Sequence, residues 1–225
     1  MPPAPGLPAT TPSPAPVPRA ERKERTRRAI LDATLRLAEE STLGTVSLRQ
    51  VAKEVGIVPT AFYRHFASLD DVGLELVEEA LGALRGMLRD VRQGAAADLG
   101  SLTRVTDRSV DVLVEHVARE RSRFLFVARE RVAGPPPVRE AIRHGIELFE
   151  RELATDVARL PGTEGWSTED LRTLSRLIVT SMVSTAEEMV HAAGRPAAAA
   201  QVEADARTQL RMVLVGALNW RSRRT

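Results

Sequence analysis

Thr60, Tyr63 and Arg64 place a hydroxyl, a phenol and a guanidinium within one short stretch, beside Ala61 and His65, and Phe62 and Phe66 interleave with them. At about 100° per residue on a helix, Thr60 and Arg64 point nearly opposite the two phenylalanines, and Ala61 and Tyr63 flank the outward pair. Groups of this kind hydrogen-bond base edges and phosphate oxygens, and small side chains let a helix approach a groove floor. The chemistry on offer is recognition of double-stranded DNA. The same spacing also describes a solvated helix that two phenylalanines anchor to a core. His65 has two readings of its own, a phosphate contact or a hydrogen bond between helices.

Such a helix needs a second one to hold it. Ser47 can cap a helix start, and Leu48, Val51, Ala52 and Val55 follow at i, i+3, i+4 and i+7, one apolar stripe. Gly56 stands where a helix ends with positive φ, and Pro59 suits a first helical position. Two helices with a tight turn between them are expected, with Ser47, Arg49, Pro59, Thr60, Ala61, Tyr63, Arg64 and His65 as candidate DNA contacts. Upstream, Arg19, Arg22, Lys23, Arg25, Arg27 and Arg28 outnumber Glu21 and Glu24. Cations at a helix N-terminus oppose the helix dipole, and phosphate contact supplies a reason for them. A first helix over about 22–40 follows, its buried stripe Ile30, Leu31, Thr34, Leu35, Leu37 and Ala38.

The runs T-R-R-A-I-L-D-A (Thr26 to Ala33), S-L-R-Q-V-A (Ser47 to Ala52) and F-Y-R-H-F (Phe62 to Phe66) resemble the DNA-binding domain of the TetR family of transcriptional repressors. P-T-A-F-Y-R-H-F followed by L-D-D-V-G-L, then R-F-L-F-V-A-R-E-R (Arg123 to Arg131) and N-W-R (Asn219 to Arg221), look most like the FabR/DesT group, which represses unsaturated-fatty-acid synthesis genes. The resemblance implies DNA contacts from Lys23, Arg25 and Thr26. It also implies a long-chain acyl-CoA or acyl carrier protein ligand in the second domain. Several features depart from the family, among them the absence of a Phe near Leu37 and Ala38. Val58 stands where a capping Ser is frequent, so Pro59 must fix the helix start. Ala67 stands where a phosphate-gripping Lys is common. Ser41-Thr42-Leu43-Gly44 replaces the usual single glycine.

Length, at 225 residues, allows one or two small domains with a real core. Ala, Leu, Arg and Glu favour helices. The absence of cysteine excludes disulfides and thiolate chemistry and fits a reducing cytoplasm. No apolar run approaches the roughly 20 residues of a membrane span. The net charge of +2 argues little; its clustering argues more. Residues 1–18, mostly Pro, Ala, Thr and Ser, read as a disordered cytoplasmic tail. The expected organisation is all-α, with residues 19–67 a three-helix helix-turn-helix DNA-binding domain. Residues 68–225 form a larger helical ligand-binding and dimerisation domain.

In that second domain Ser68 and Asp71 make a capping-box-like start for a long helix over about 69–93. Helices are expected near 99–118, 121–132, 138–160, 168–193 and 197–221, broken at Gly134-Pro135-Pro136-Pro137, Pro161-Gly162 and Gly194-Arg195-Pro196. Ser167 and Asp170 repeat the capping pattern. The last two helices are apolar over more than one face and need two partners. A homodimer would present two reading helices to a pseudo-palindromic operator; a fully buried helix of a monomer reads the same way.

Phe124, Val127, Phe149, Ile178 and Met182 are candidate pocket walls. Arg129 and Arg131 are candidates for an acidic head group, and each could equally pair with a nearby carboxylate. Glu188, with Thr180 and Ser184 at helical spacing, is a polar candidate for ligand contact or for a subunit interface. Glu188 and His191 form one E-x-x-H, whereas a di-iron bundle needs two and further glutamates, so no metal is expected. No catalytic Ser/His/Asp set, phosphate loop or zinc spacing appears, and neither cofactor nor enzymatic activity is expected. A regulator of efflux or catabolism that senses another apolar molecule is the competing function. A helical enzyme and a helical interaction module remain as other classes.

Overall fold

The computed structural model describes residues 18–98, 102–160 and 162–222. The tail read at 1–18 therefore lies, apart from Pro18, outside the described residues. Among those described the elements are helices and turns, with no strand. They run α1 (Arg19–Glu40), a 3₁₀ turn (Leu43–Thr45), α2 (Leu48–Val55), α3 (Pro59–Phe62) and α4 (Leu69–Asp98). Then come α5 (Leu102–Arg119), α6 (Arg121–Ala133), α7 (Pro136–Val157), α8 (Thr168–Ala192) and α9 (Pro196–Leu218).

The helix boundaries follow local chemistry. The Ser47 hydroxyl accepts the Gln50 amide proton at 3.3 Å, and the Gln50 side chain accepts the Ser47 amide at 2.8 Å. This closes a reciprocal cap whose S-x-x-Q signature the sequence displays. Gly56 ends α2 at φ 74°, in the left-handed region. Pro59 opens α3 with no side-chain cap at Val58. Pro136 and Pro196 each occupy a first helical turn, so α7 starts two residues earlier than expected. α9 stops at Leu218, three residues short, because Ser222 returns to the start of α8. There the Ser222 hydroxyl accepts the Ser167 amide at 2.8 Å and donates to Asp170, while the Asp170 amide bonds the Ser167 hydroxyl at 3.1 Å. Those hydroxyls hold the Asp170 carboxyl below its ordinary range.

One hydrophobic cluster joins the N-terminal helices to the rest. It contains Ile30, Leu31 and Ala38 of α1, Val51, Phe62, Phe66, then Val72, Leu76 and Leu81 of α4, Phe126 of α6 and Val138 and Ile142 of α7. Packing is therefore continuous across residue 67. Two further clusters lie in the C-terminal part. Leu113, Val117, Leu125, Met189 and Val190 form one, and Val110, Ala206 and Leu210 the other. α8 and α9 pack on each other, and the Ser181 hydroxyl meets the Gln209 amide oxygen at 3.0 Å. Leu177, Met212, Val215, Leu218 and Trp220 on and beyond this pair remain exposed.

Gly73 of α4 is a tight point of the joint. A Cβ there would overlap Leu43 and come within 2.8 Å of Val138 Cγ2, whereas a Cβ on Gly82 of the same helix meets nothing within 4 Å. Gly73→Ala is expected to cost about 1–3 kcal/mol through overpacking. Gly82→Ala should gain up to about 1 kcal/mol through helix propensity. Urea unfolding of both variants checks the pair; equal shifts in the same direction would contradict the packing.

Candidate nucleic-acid interface

The reading segment is anchored from beneath. Phe62 is fully buried and Phe66 nearly so, their ring centroids 6.0 Å apart. Tyr63 meets Phe62 edge-on at 5.8 Å, which fixes the ring while leaving it 62% exposed. α3 itself spans only four residues, fewer than the pattern predicts. The chain continues as tight turns, Arg64 N–H to Ala61 C=O at 3.2 Å and His65 N–H to Phe62 C=O at 2.8 Å. The coil thus reaches Phe66 without regular helix. Ser47, Arg49, Pro59, Thr60, Tyr63 and Arg64 are exposed, with Ala61 and His65 half-buried among them.

The upstream cations divide into two groups. Arg19, Arg22, Lys23 and Arg25 are exposed. Thr26 is half-buried and its hydroxyl donates to the Arg22 carbonyl at 3.0 Å. Arg27 turns inward instead. Its guanidinium lies 4.2 Å from the Phe66 ring centre, donates to the His65 carbonyl at 2.8 Å and pairs with Glu75 of α4. Arg28 bonds Asp32 at 2.7 Å and Glu79 at 2.5 Å, and Arg123 of α6 reaches the same Glu79 at 3.1 Å. Arg27 thus braces the reading segment, and Arg28 ties α1 to α4. Asp32, four residues from Arg28, is a partner that helical spacing offers; Glu75 and Glu79 lie 48 and 51 residues away.

The residues read as ligand contacts are distributed over three hydrophobic clusters and the surface beside them. Val127 and Phe149 pack on the first cluster, Phe124 on the second, Ile178 on the third, and Met182 on both the second and third. Arg129 donates to the carbonyls of Ala38 and Glu39 at the end of α1. Arg131 pairs with Glu187 at 2.6 Å. Glu188 is exposed and accepts from the Ser184 hydroxyl at 3.3 Å. Two hollows of about 400 and 300 Å³ on this domain are open and lined mainly by charged side chains such as Glu152, Arg159, Arg172 and Arg176. They include none of the candidates. Among the described residues no group of three His, Asp or Glu is placed to hold a metal ion, and no helix is long and apolar enough to cross a membrane.

Among the described residues, a helical body carries an N-terminal helix-turn-helix with exposed cations, hydroxyls and an aromatic, an architecture suited to contacting DNA. Known proteins agree with that reading. Residues 30–76 match the model described as bacterial regulatory proteins, tetR family. An uncharacterized HTH-type transcriptional regulator of Haemophilus influenzae is 41% identical over 137 residues, 60% of this chain and 65% of that protein. A transcriptional regulator from Rhodococcus superimposes with TM-score 0.60 at 21% identity, over 88% of this chain and 99% of that one. The fatty acid degradation regulator FadR from Bacillus halodurans does so with TM-score 0.61 at 16% identity, over 87% and 97%. At those identities the likeness is one of fold. Residues 30–76 thus match a TetR-type helix-turn-helix, and 88% of the chain shares the fold of a solved transcriptional regulator.

His65 sits at the edge of this interface with its Nδ1 buried and unpartnered. Burial, and then the charges of Lys23, Arg27 and Arg64, hold its imidazole below the usual 6.5. A base depressed in the folded state contributes stability above its unfolded pKa and loses it as pH falls through the folded value. Thermal unfolding between about pH 7 and about pH 5 should therefore show a decline in the wild type that His65→Gln lacks. Parallel curves for the two proteins would remove His65 as the cause.

Proposed function

We propose that the protein is a homodimeric TetR-type DNA-binding transcriptional regulator that represses genes of fatty-acid metabolism in response to a long-chain acyl-CoA or acyl carrier protein thioester. The observation that carries the DNA reading is the division of faces at 59–66. Phe62 and Phe66 are buried, while Thr60, Tyr63, Arg64 and Arg49 are exposed. Lys23, Arg25 and Thr26, with Ser47, Pro59, Ala61 and His65, complete the proposed contact set. Dimerisation is supported by the exposed apolar side chains of Leu177 on α8 and Met212, Val215 and Leu218 on α9. A second copy would cover them, as a two-fold interface covers the same patch on both subunits.

The lipid reading rests on the likeness of Arg123 to Arg131 to the FabR/DesT group and on the fold shared with a fatty acid degradation regulator. Phe124 and Met182 share one cluster with Met87 and Met189. Thioether side chains repack readily, so this is where we place an apolar chain.

Arg64→Ala and Tyr63→Ala are each expected to weaken binding to a DNA fragment from upstream of the protein's own gene by about 1–3 kcal/mol at fixed salt. Fluorescence anisotropy reads the loss, and unchanged affinity in both would overturn the assignment of the reading face. Added oleoyl-CoA and palmitoyl-CoA should shift the same titration by different amounts; indifference to both would remove the lipid reading and leave the regulator. In sedimentation, Met212→Glu with Leu218→Glu should turn a dimer into a monomer, and a wild-type monomer would exclude the symmetric arrangement.

A further inference from the structure

Glu130 of α6 has no solvent exposure. Its Oε1 accepts the Leu43 amide proton at 2.9 Å, across 87 residues of sequence, and its Oε2 is buried with no partner. A half-satisfied carboxylate costs free energy that an apolar side chain would avoid. The bond it does make therefore needs a reason. Leu43 is the first residue of the 3₁₀ turn between α1 and α2, and its amide is an orphan donor at a helix start. The adjacent Arg129 does the complementary work. It donates to the carbonyls of Ala38, Glu39 and Ser41, the orphan acceptors at the end of α1. That end has no basic residue in its last turn and no glycine cap. An acceptor and a donor from consecutive positions of α6 thus hold the two ends of the same connection.

Two glycines make room for this arrangement. Gly134 has φ −69°, which any residue adopts. A Cβ on it would nevertheless fall 2.5 Å from the Glu130 carbonyl oxygen and 2.6 Å from its Oε2. Its value is space for Glu130. Gly73 similarly leaves a gap on α4 into which the Leu43 side chain fits, against Val138 of α7. The connection is gripped by its backbone from α6 and plugged by its side chain between α4 and α7.

We propose that Arg129 and Glu130 are positioning residues for DNA recognition, a two-point latch through which α6 sets the placement of the α1–α2 connection and hence of the reading face. This rests on the DNA-binding reading above. Any displacement of α6 would move both contacts together, because the two residues are adjacent on one helix. Neither side chain needs to touch DNA.

The test combines amide hydrogen exchange at 41–45 with affinity for the upstream DNA fragment, in the full chain, for Glu130→Ala, Arg129→Ala and Glu130→Gln. Glutamine keeps an acceptor for the Leu43 amide. The two alanine variants are expected to retain helical content, to exchange faster at 41–45, and to bind DNA about tenfold more weakly. Glu130→Gln should stay near the wild type in both readouts. Should Glu130→Ala fail to fold, Arg129→Ala and Glu130→Gln carry the comparison. Folded alanine variants with wild-type exchange and affinity would overturn the latch, as would Glu130→Gln behaving like Glu130→Ala. A wild-type protein that binds no fragment would overturn the DNA reading instead, and the exchange measurement would then decide the latch alone.

Discussion

Burial of Phe62 and Phe66 is the constraint on which the outward face depends. Both rings lie in a cluster that also takes side chains from α1, α4, α6 and α7. Because a close-packed interior fixes side-chain direction, seating these two rings leaves Thr60, Tyr63 and Arg64 little choice but to face outward. A four-residue helix has no stability of its own, since nucleation alone costs more than so few hydrogen bonds return. The reading segment is a surface feature of the core beneath it. Arg27 reinforces this from the flank, lying on the Phe66 ring and bonding the His65 carbonyl.

The ion pairs around the joint orient more than they stabilise. Glu75 and Glu79, one turn apart on α4, receive Arg27 and Arg28 of α1, and Arg123 of α6 joins at Glu79. All of these groups are about a quarter to two-fifths exposed, and pairs so placed contribute modestly. Their value is angular. They tie α1 to α4 and α4 to α6, in the region where the hydrophobic cluster crosses from the N-terminal helices to the body. Arg129 and Glu130 act on the same joint from the other side.

The C-terminal part is built differently. Its two smaller clusters leave the outer faces of α8 and α9 apolar and uncovered. Uncovered apolar area of this kind weakens an isolated chain and favours association. The return of Ser222 to the Ser167 cap shows the same economy, since residues beyond α9 complete the start of α8.

Local sequence determined much of this protein. The Ser47 cap, the left-handed Gly56, the prolines at helix starts, the apolar stripes of α1 and α2, and the opposed faces of Thr60 with Arg64 and Phe62 with Phe66 all follow from interactions within about eight residues. The all-helical class and the helix-turn-helix were legible for that reason. What the tertiary structure decided concerns charged side chains. Arg27 looks like Lys23 and Arg25 in sequence, and Glu75 and Glu79, 48 and 51 residues from Arg27 and Arg28, draw those two against α4. Arg129 reads as a head-group contact until α1 brings its final carbonyls alongside. Glu130 is buried against Leu43 only because α6 packs on the α1–α2 connection. Long-range partners of flexible, charged groups leave no periodic trace, because their contacts depend on how helices cross rather than on spacing along one helix.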